Sequence, residues 1–357
     1  MNNIDLLLKT IEARLNIHTV QQLLREANLI SARSWSELKM IIKGAAGKNP
    51  KVIESLVNAL CMQQACDLKA VSYFELGENV SDLIYSKLKK FSVPKGELSS
   101  SYPFVSPEDE LRRDDGKLKP VAKFEDENGA GLVLSRRRTF TTNNEISREH
   151  FTENVKEAFP EAEKIIEVKT YDRQTFDVIY LNLVAGVLEI RADTTREHGM
   201  PQTTSQIDTS VSDLRFYTRR LAASWVPGFD LDAPLNLLPL TKGVYGDKSG
   251  AIKKVGFSTE TESVKRETMK AGVDLRDELF HKNGAQAIDH RMAIFEIAIQ
   301  WHRADIDDGN SKPELYIPGS HRDYVKIGAR TDYLLVKGMR VYDDSNFILK
   351  KILSYKR

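Results

Sequence analysis

Residues 176–192, FDVIYLNLVAGVLEIRA, place two strand-forming apolar runs on either side of Val184-Ala185-Gly186. Runs of this composition around a small-residue turn predict a β-hairpin from Phe176 to Ala192. Working towards the N-terminus, Lys164–Thr170 predicts a further strand. Ser147–Phe159 predicts a helix, started by Ser147 and stopped by Pro160, and Ala130–Phe140 another strand. Towards the C-terminus, Val211, Leu214, Tyr217 and Leu221 recur at helical spacing within Gln206–Ala223, and the proline-rich stretch Pro227–Leu240 closes the unit. Strands, a helix and paired strands in this order define an α+β unit over residues 121–240.

The flanking regions differ in period. Within residues 1–92, Ile4, Leu7, Leu8, Ile11 and Leu15, then Val20, Leu23, Leu24 and Ala27, then Leu38, Ile41 and Ile42 follow helical spacing. Thr19 and Ser34 are the expected caps, and further helices are expected near Lys51–Leu68 and Val80–Phe91. Residues 93–120 hold prolines, a serine run and the charged stretch Glu108–Asp115, which reads as a linker. In residues 241–357 strands fit Ile252–Ser258, Met292–Trp301, Leu315–Ile317, Asp332–Val336 and Phe347–Leu353, with a helix around Ser263–Phe280. The expected architecture is therefore α+β: an N-terminal all-helical interaction module, a linker, a mixed α+β body and a β-rich C-terminal part.

Composition excludes several classes. The chain has 357 residues, 41% hydrophobic and 29% charged, with 52 Lys+Arg against 51 Asp+Glu for a net charge of +1. That balance fits a globular protein of two or three units, and no bulk field advertises nucleic acid or an anionic membrane. No run approaches the ~18 apolar residues of a spanning helix. The first residues also lack the layout of a signal peptide, so a cytoplasmic location without membrane contact is expected. Cys61 and Cys66 fall on different sides of a helix, which disfavours a bridge or a zinc site.

One constellation carries catalytic potential. Asp177 heads one hairpin strand, and Glu189 and Arg191 share a face of the returning one. An acid on each strand is the arrangement that holds a divalent cation for phosphodiester cleavage. Glu167-Val168-Lys169 upstream has acid-x-lysine spacing. Over about 25 residues this resembles the PD-(D/E)xK nuclease pattern, with Lys169 or Arg191 in the lysine position. The resemblance implies a Mg²⁺-dependent nuclease with Asp177 and Glu189 as metal ligands. The chain departs from the pattern at Arg191, since an arginine stays charged and does not serve as a base. The alternative is a charged hairpin face without metal or any other cofactor.

Arg136, Arg137 and Arg138 form the densest basic cluster, and Arg215, Arg219 and Arg220 repeat the theme on one helix. Guanidinium groups pair bidentately with phosphate oxygens, so these six are the candidate nucleic-acid contacts unless acidic neighbours in the fold neutralise them. The histidines, including His198, His281 and His290 beside Asp289, show no metal-binding spacing. His302 with Asp305, Asp307 and Asp308 reads as a turn. The glycines form no phosphate loop, and Trp225 and Trp301 read as core residues. Together these features predict a non-catalytic accessory subunit that docks a protein partner through residues 1–92 and binds a DNA or RNA backbone. A multi-component bacterial system such as antiviral defence or restriction is the expected setting. The alternatives are the nuclease, and a structural interaction protein without nucleic-acid contact.

Overall fold

The N-terminal segment forms α1 (Asn3–Arg14), α2 (Ile17–Glu26), α3 (Trp35–Ala46) and α4 (Pro50–Cys66) in a computed structural model, which describes residues 3–30, 32–195, 202–270, 272–288, 291–306 and 311–356. Leu7, Ile11, Leu24, Leu38, Ile42 and Leu56 close a core between these helices. Ser34 caps α3 through the Glu37 amide, as its sequence predicts, whereas α2 begins two residues ahead of Thr19 and is capped by Asn16.

The body is built on one antiparallel sheet, ten-stranded among the described residues. Its strands are β1 (Lys69–Glu75), β2 (Lys119–Glu125), β3 (Gly129–Ser147), β4 (Lys164–Asn182), β5 (Val187–Asp193), β6 (Ala251–Ser258), β7 (Val264–Thr268), β8 (Ala293–Gln300), β9 (Glu314–Ile317) and β10 (Leu334–Lys337). They lie in the order β2-β3-β4-β5-β1-β10-β9-β8-β6-β7. A helical N-terminal region followed by a mixed body is the α+β class expected from the sequence. The hairpin turn falls at 183–186, where Gly186 takes φ +63°.

β1 joins the two halves of the sheet, pairing with β5 on one side and β10 on the other. Its position inside the stretch read as all-helical is a correction. Six of its seven residues are buried, so it has no alternating polar face to mark it as a strand. The supposed linker 93–120 carries α6 (Glu97–Ser101) and α7 (Glu108–Arg113), reached after α5 (Glu78–Lys90), and it buries Leu98 and Leu111.

Three other expectations are corrected. The predicted helix at 147–159 shrinks to a 3-10 turn at Arg148–His150 and α8 (Glu153–Ala158), because residues through Ser147 pair in unbroken register with Lys164–Asn182. The strands expected at 164–170 and 176–182 are thus one strand. β2 leaves β3 beyond Ser135, and β5 leaves β4 beyond Val178. The outer part of this hairpin is therefore two-stranded. α9 (Thr204–Trp225) matches its expected helix, and α10 (Thr241–Gly246) follows it. The helix expected at 263–280 is instead β7, a 3-10 turn and then α11 (Leu279–Ala287). After α12 (His321–Tyr324), residues 347–353 belong to α13 (Tyr342–Ser354) and not to a strand; Ile348, Leu349 and Ile352 make one buried face.

The two largest cores flank the sheet, and a smaller one packs Leu98 against Val121, Val133 and Val178. α5 and α9 cover one face of the β3-β4-β5-β1 half, burying Leu88 and Leu214 against Leu132, Ile179 and Ile190. α10 and α13 cover the opposite face of the other half, burying Val244 and Ile348 against Ile297 and Val336. Trp301 packs edge-on against Phe347 there, and Trp225 meets Phe91, so both tryptophans sit among apolar neighbours. The remaining face of β10-β9-β8-β6 bears the polar residues described next. Among the described residues no helix is long and apolar enough to cross a membrane.

Candidate functional site

The structure does not bring Asp177 and Glu189 together. Glu189 pairs across strands with Tyr180, while Asp177 pairs with Leu134 and shares its face with Ile179. An odd separation along β4 therefore puts the two acids on opposite faces of the sheet. Both are 1% exposed or less. Asp177 accepts the Asp193 amide at 2.8 Å and faces Arg136. Glu189 binds Arg191 at 3.0 Å, and Arg191 continues to the Ala65 carbonyl and the Cys66 thiol. Burial pushes both carboxyls above their ordinary values, despite Arg136 and Arg191. Lys169 and Glu167 lie on the outer hairpin and pair with each other at 3.0 Å. Asp177 with Arg136 and Glu189 with Arg191 thus form interior ion pairs, and Lys169 with Glu167 a surface pair, instead of the two-carboxylate centre expected of them. Among the described residues no group of three metal-ligating side chains converges. Asp289, His290, His198 and residues 307–310 lie outside the described residues.

The arginines are mostly consumed by the fold. Arg138 binds Ser210 and the Gln206 carbonyl, fastening β3 to α9. Arg137 reaches the Arg112 carbonyl and Asp172, Arg219 forms a two-pronged pair with Asp230, and Arg215 reaches the Asp232 carbonyl while lying over Phe74. Arg136 is buried with Nη1 2.8 Å from Asp213. Arg220 is exposed and stacks over Phe216. Arg136 and Arg220 line a common cavity.

A larger basic surface comes from lysines that the sequence reading passed over. Lys254, Ala298, Tyr316 and Leu335 stand in one row across β6, β8, β9 and β10, and Gln300, Glu314 and Lys337 form the next row on the same face. These rows floor a cavity of about 570 Å³, with Lys253 and Lys270 also on its walls. A second cavity of about 460 Å³ shares Gln300, Glu314 and Lys337 with the first and runs on to Lys312, Arg340 and α2. The two join into one groove over the open sheet face, walled by Ile207 of α9 and Lys270 at one end and by the N-terminal bundle at the other.

The charges in this groove are ordered by specific partners. Lys254 donates to Glu296 at 2.5 Å and to the Tyr316 hydroxyl at 3.2 Å, and Arg266 binds the other Glu296 oxygen at 3.0 Å. Burial alone would raise the Glu296 carboxyl, but Lys254, Tyr316 and Arg266 outweigh it and hold it below its ordinary value. Lys337 pairs with Glu314 at 2.9 Å. The first cavity thus gathers Lys253, Lys254, Lys270 and Lys337 in a concave site, with Lys254 paired to Glu296 and Lys337 to Glu314. Period two within β6 and β10 marks Lys254 and Lys337 as facing away from the apolar side. Nothing local aligns strands some eighty residues apart.

No family model matches this chain, and no curated protein matches it in sequence.

Proposed function

We propose that this chain is a non-catalytic binding subunit that engages the phosphate backbone of a nucleic acid through the lysine-lined groove. The observation that carries the reading is the alignment of Lys254 and Lys337, with Lys253 and Lys270 beside them, over one open sheet face. Lysine ammonium groups in a concave surface neutralise phosphates without reading bases, so affinity is expected to fall with salt and to vary little with sequence. Burial of Asp177 and Glu189 on opposite faces weighs against the nuclease alternative. A protein partner for the helical region, a cytoplasmic location and a role in a multi-component defence or restriction system complete the proposal.

Fluorescence anisotropy of the purified chain with labelled single-stranded and duplex DNA and RNA, in EDTA at two salt concentrations, tests it. Salt-sensitive binding with intact strands is the expected result. Absence of binding at low salt would overturn the reading in favour of a protein-interaction role. Strand cleavage on adding Mg²⁺ would restore the nuclease.

A further inference from the structure

Lys117 and Leu118, in the turn that enters β2, face α9 across a cavity of about 590 Å³. Its walls differ in kind from the lysine groove. Arg136 comes from β3, and α9 supplies Tyr217 together with Phe216 and Arg220, which lie one turn apart. Phe216 is 63% exposed, an unusual state for a phenylalanine beside a cavity, and Arg220 lies over its ring with Cζ 5.8 Å from the centroid. Arg220 has no acidic partner among the described residues, and Lys117 meets only Asp115 at 3.7 Å, both exposed.

Arg136 adds a second kind of observation. Its guanidinium is nine-tenths buried and donates from Nη1 to Asp213, yet Nε and Nη2 have no hydrogen-bond partner, and the nearest Asp177 oxygen is 4.0 Å away. A buried arginine with two unpaired donors is costly. Its one ion pair at hydrogen-bond distance, to Asp213, lies at the cavity wall. Lys117, Arg136 and Arg220 against Asp213 leave the cavity positively charged.

We propose that this cavity is a second ligand site, separate from the groove, that takes a nucleoside monophosphate. The planar base stacks on Phe216 while the phosphate is held by Arg220 and Lys117. The volume is within the range of small-ligand pockets, and an aromatic face next to a guanidinium is the combination that retains a base and its phosphate together. Binding involves no covalent step.

Isothermal titration calorimetry of the full chain with AMP, UMP, adenosine and inorganic phosphate tests this site. AMP and UMP are expected to bind saturably, and each more tightly than adenosine or phosphate. Phe216→Ala and Arg220→Ala are each expected to weaken AMP by roughly tenfold. Both positions are exposed, and circular dichroism of the variants verifies the fold. The groove variant Lys270→Glu/Lys337→Glu is expected to keep AMP affinity unchanged, which separates this site from the proposed nucleic-acid groove. No saturable binding of either nucleotide at millimolar concentration would overturn the proposal. Phosphate binding as tightly as AMP with no effect of Phe216→Ala would do the same, as would AMP binding lost in the groove variant alone.

Discussion

Arg14 Nη1 lies 2.8 Å from Asp193 Oδ2 with both side chains buried, and this pair fastens the last turn of α1 to the end of β5. Asp193 also accepts the Phe176 amide at 2.9 Å, the Thr195 amide and hydroxyl at 2.9 and 2.6 Å, and Arg173 at 3.3 Å. Burial would raise its carboxyl, but Arg14, Lys69 and Arg173 hold it well below the usual carboxylate range. Removing one partner of such a pair leaves the other charge buried and uncompensated. Asp193→Ala is therefore expected to cost about 3–5 kcal/mol, seen as a lower urea midpoint. A loss below about 1 kcal/mol would mean that water reaches the pair. The contribution of Asp193 is present above the ordinary carboxyl pKa and fades as pH falls towards its depressed folded value, so Asp193→Asn should flatten the acid limb of the stability profile.

Lys69 sits in the same interior and donates to the Phe176 carbonyl. Burial lowers its ammonium to about 8 from an ordinary 10.5, against the opposing pull of Asp193. Between those two values the unfolded chain binds a proton that the folded chain has released, so stability rises with pH across that window. The rise attributable to Lys69 is at most about 3 kcal/mol. Denaturation of the parent and of Lys69→Met from pH 7.5 to 10.5 checks it: the parent should gain on the variant as pH increases, and parallel curves would refute the titration.

Among the described residues the outer β3–β4 hairpin has no flanking strand from Arg136 to Ser147 and from Lys164 to Thr175. Two-stranded ribbons are marginal in water, and this one exposes Ile166 and Val168. Hydrogen exchange should protect amides 130–135 and 176–181 far more than amides 141–147 and 164–170. Equal protection of both sets would indicate a covered arm.

Charge in the groove yields a further test. Lys270 and Lys337 are exposed on its rim, so Lys270→Glu/Lys337→Glu should leave the melting temperature within a few degrees of the parent. The same variant should reduce oligonucleotide affinity about tenfold or more and make the salt slope shallower by about two. Arg219→Ala, which removes a surface pair with Asp230, should do neither. Unchanged affinity in the double variant would move the binding surface elsewhere.

Local signals made much of the chain legible before any tertiary contact. The 183–186 turn, α9, the bundle helices and strands β6, β8 and β9 follow from apolar period, caps and turn residues. The failures share a cause. Lys69–Glu75 is buried on both faces and so lacks a period, and Phe347–Leu353 has an apolar pattern that fits either element until the core at Ile297 and Val336 selects the helical face. Ser147 carries a cap signature, but nineteen paired residues of β3 and β4 outweigh one capping bond.

By itself the sequence determined the α+β class, the helical front and the candidate charged residues, because these depend on spacing along the chain. The tertiary structure alone decided what those charges do. Strand register sent Asp177 and Glu189 to opposite faces, and α9 drew Arg138 into packing contacts. The order of strands set Lys254 and Lys337 on one face of the sheet, with β8 and β9 between them. Side-chain direction in a sheet is fixed by pairing between distant segments, and the free energy that chooses the pairing is spread over the whole core.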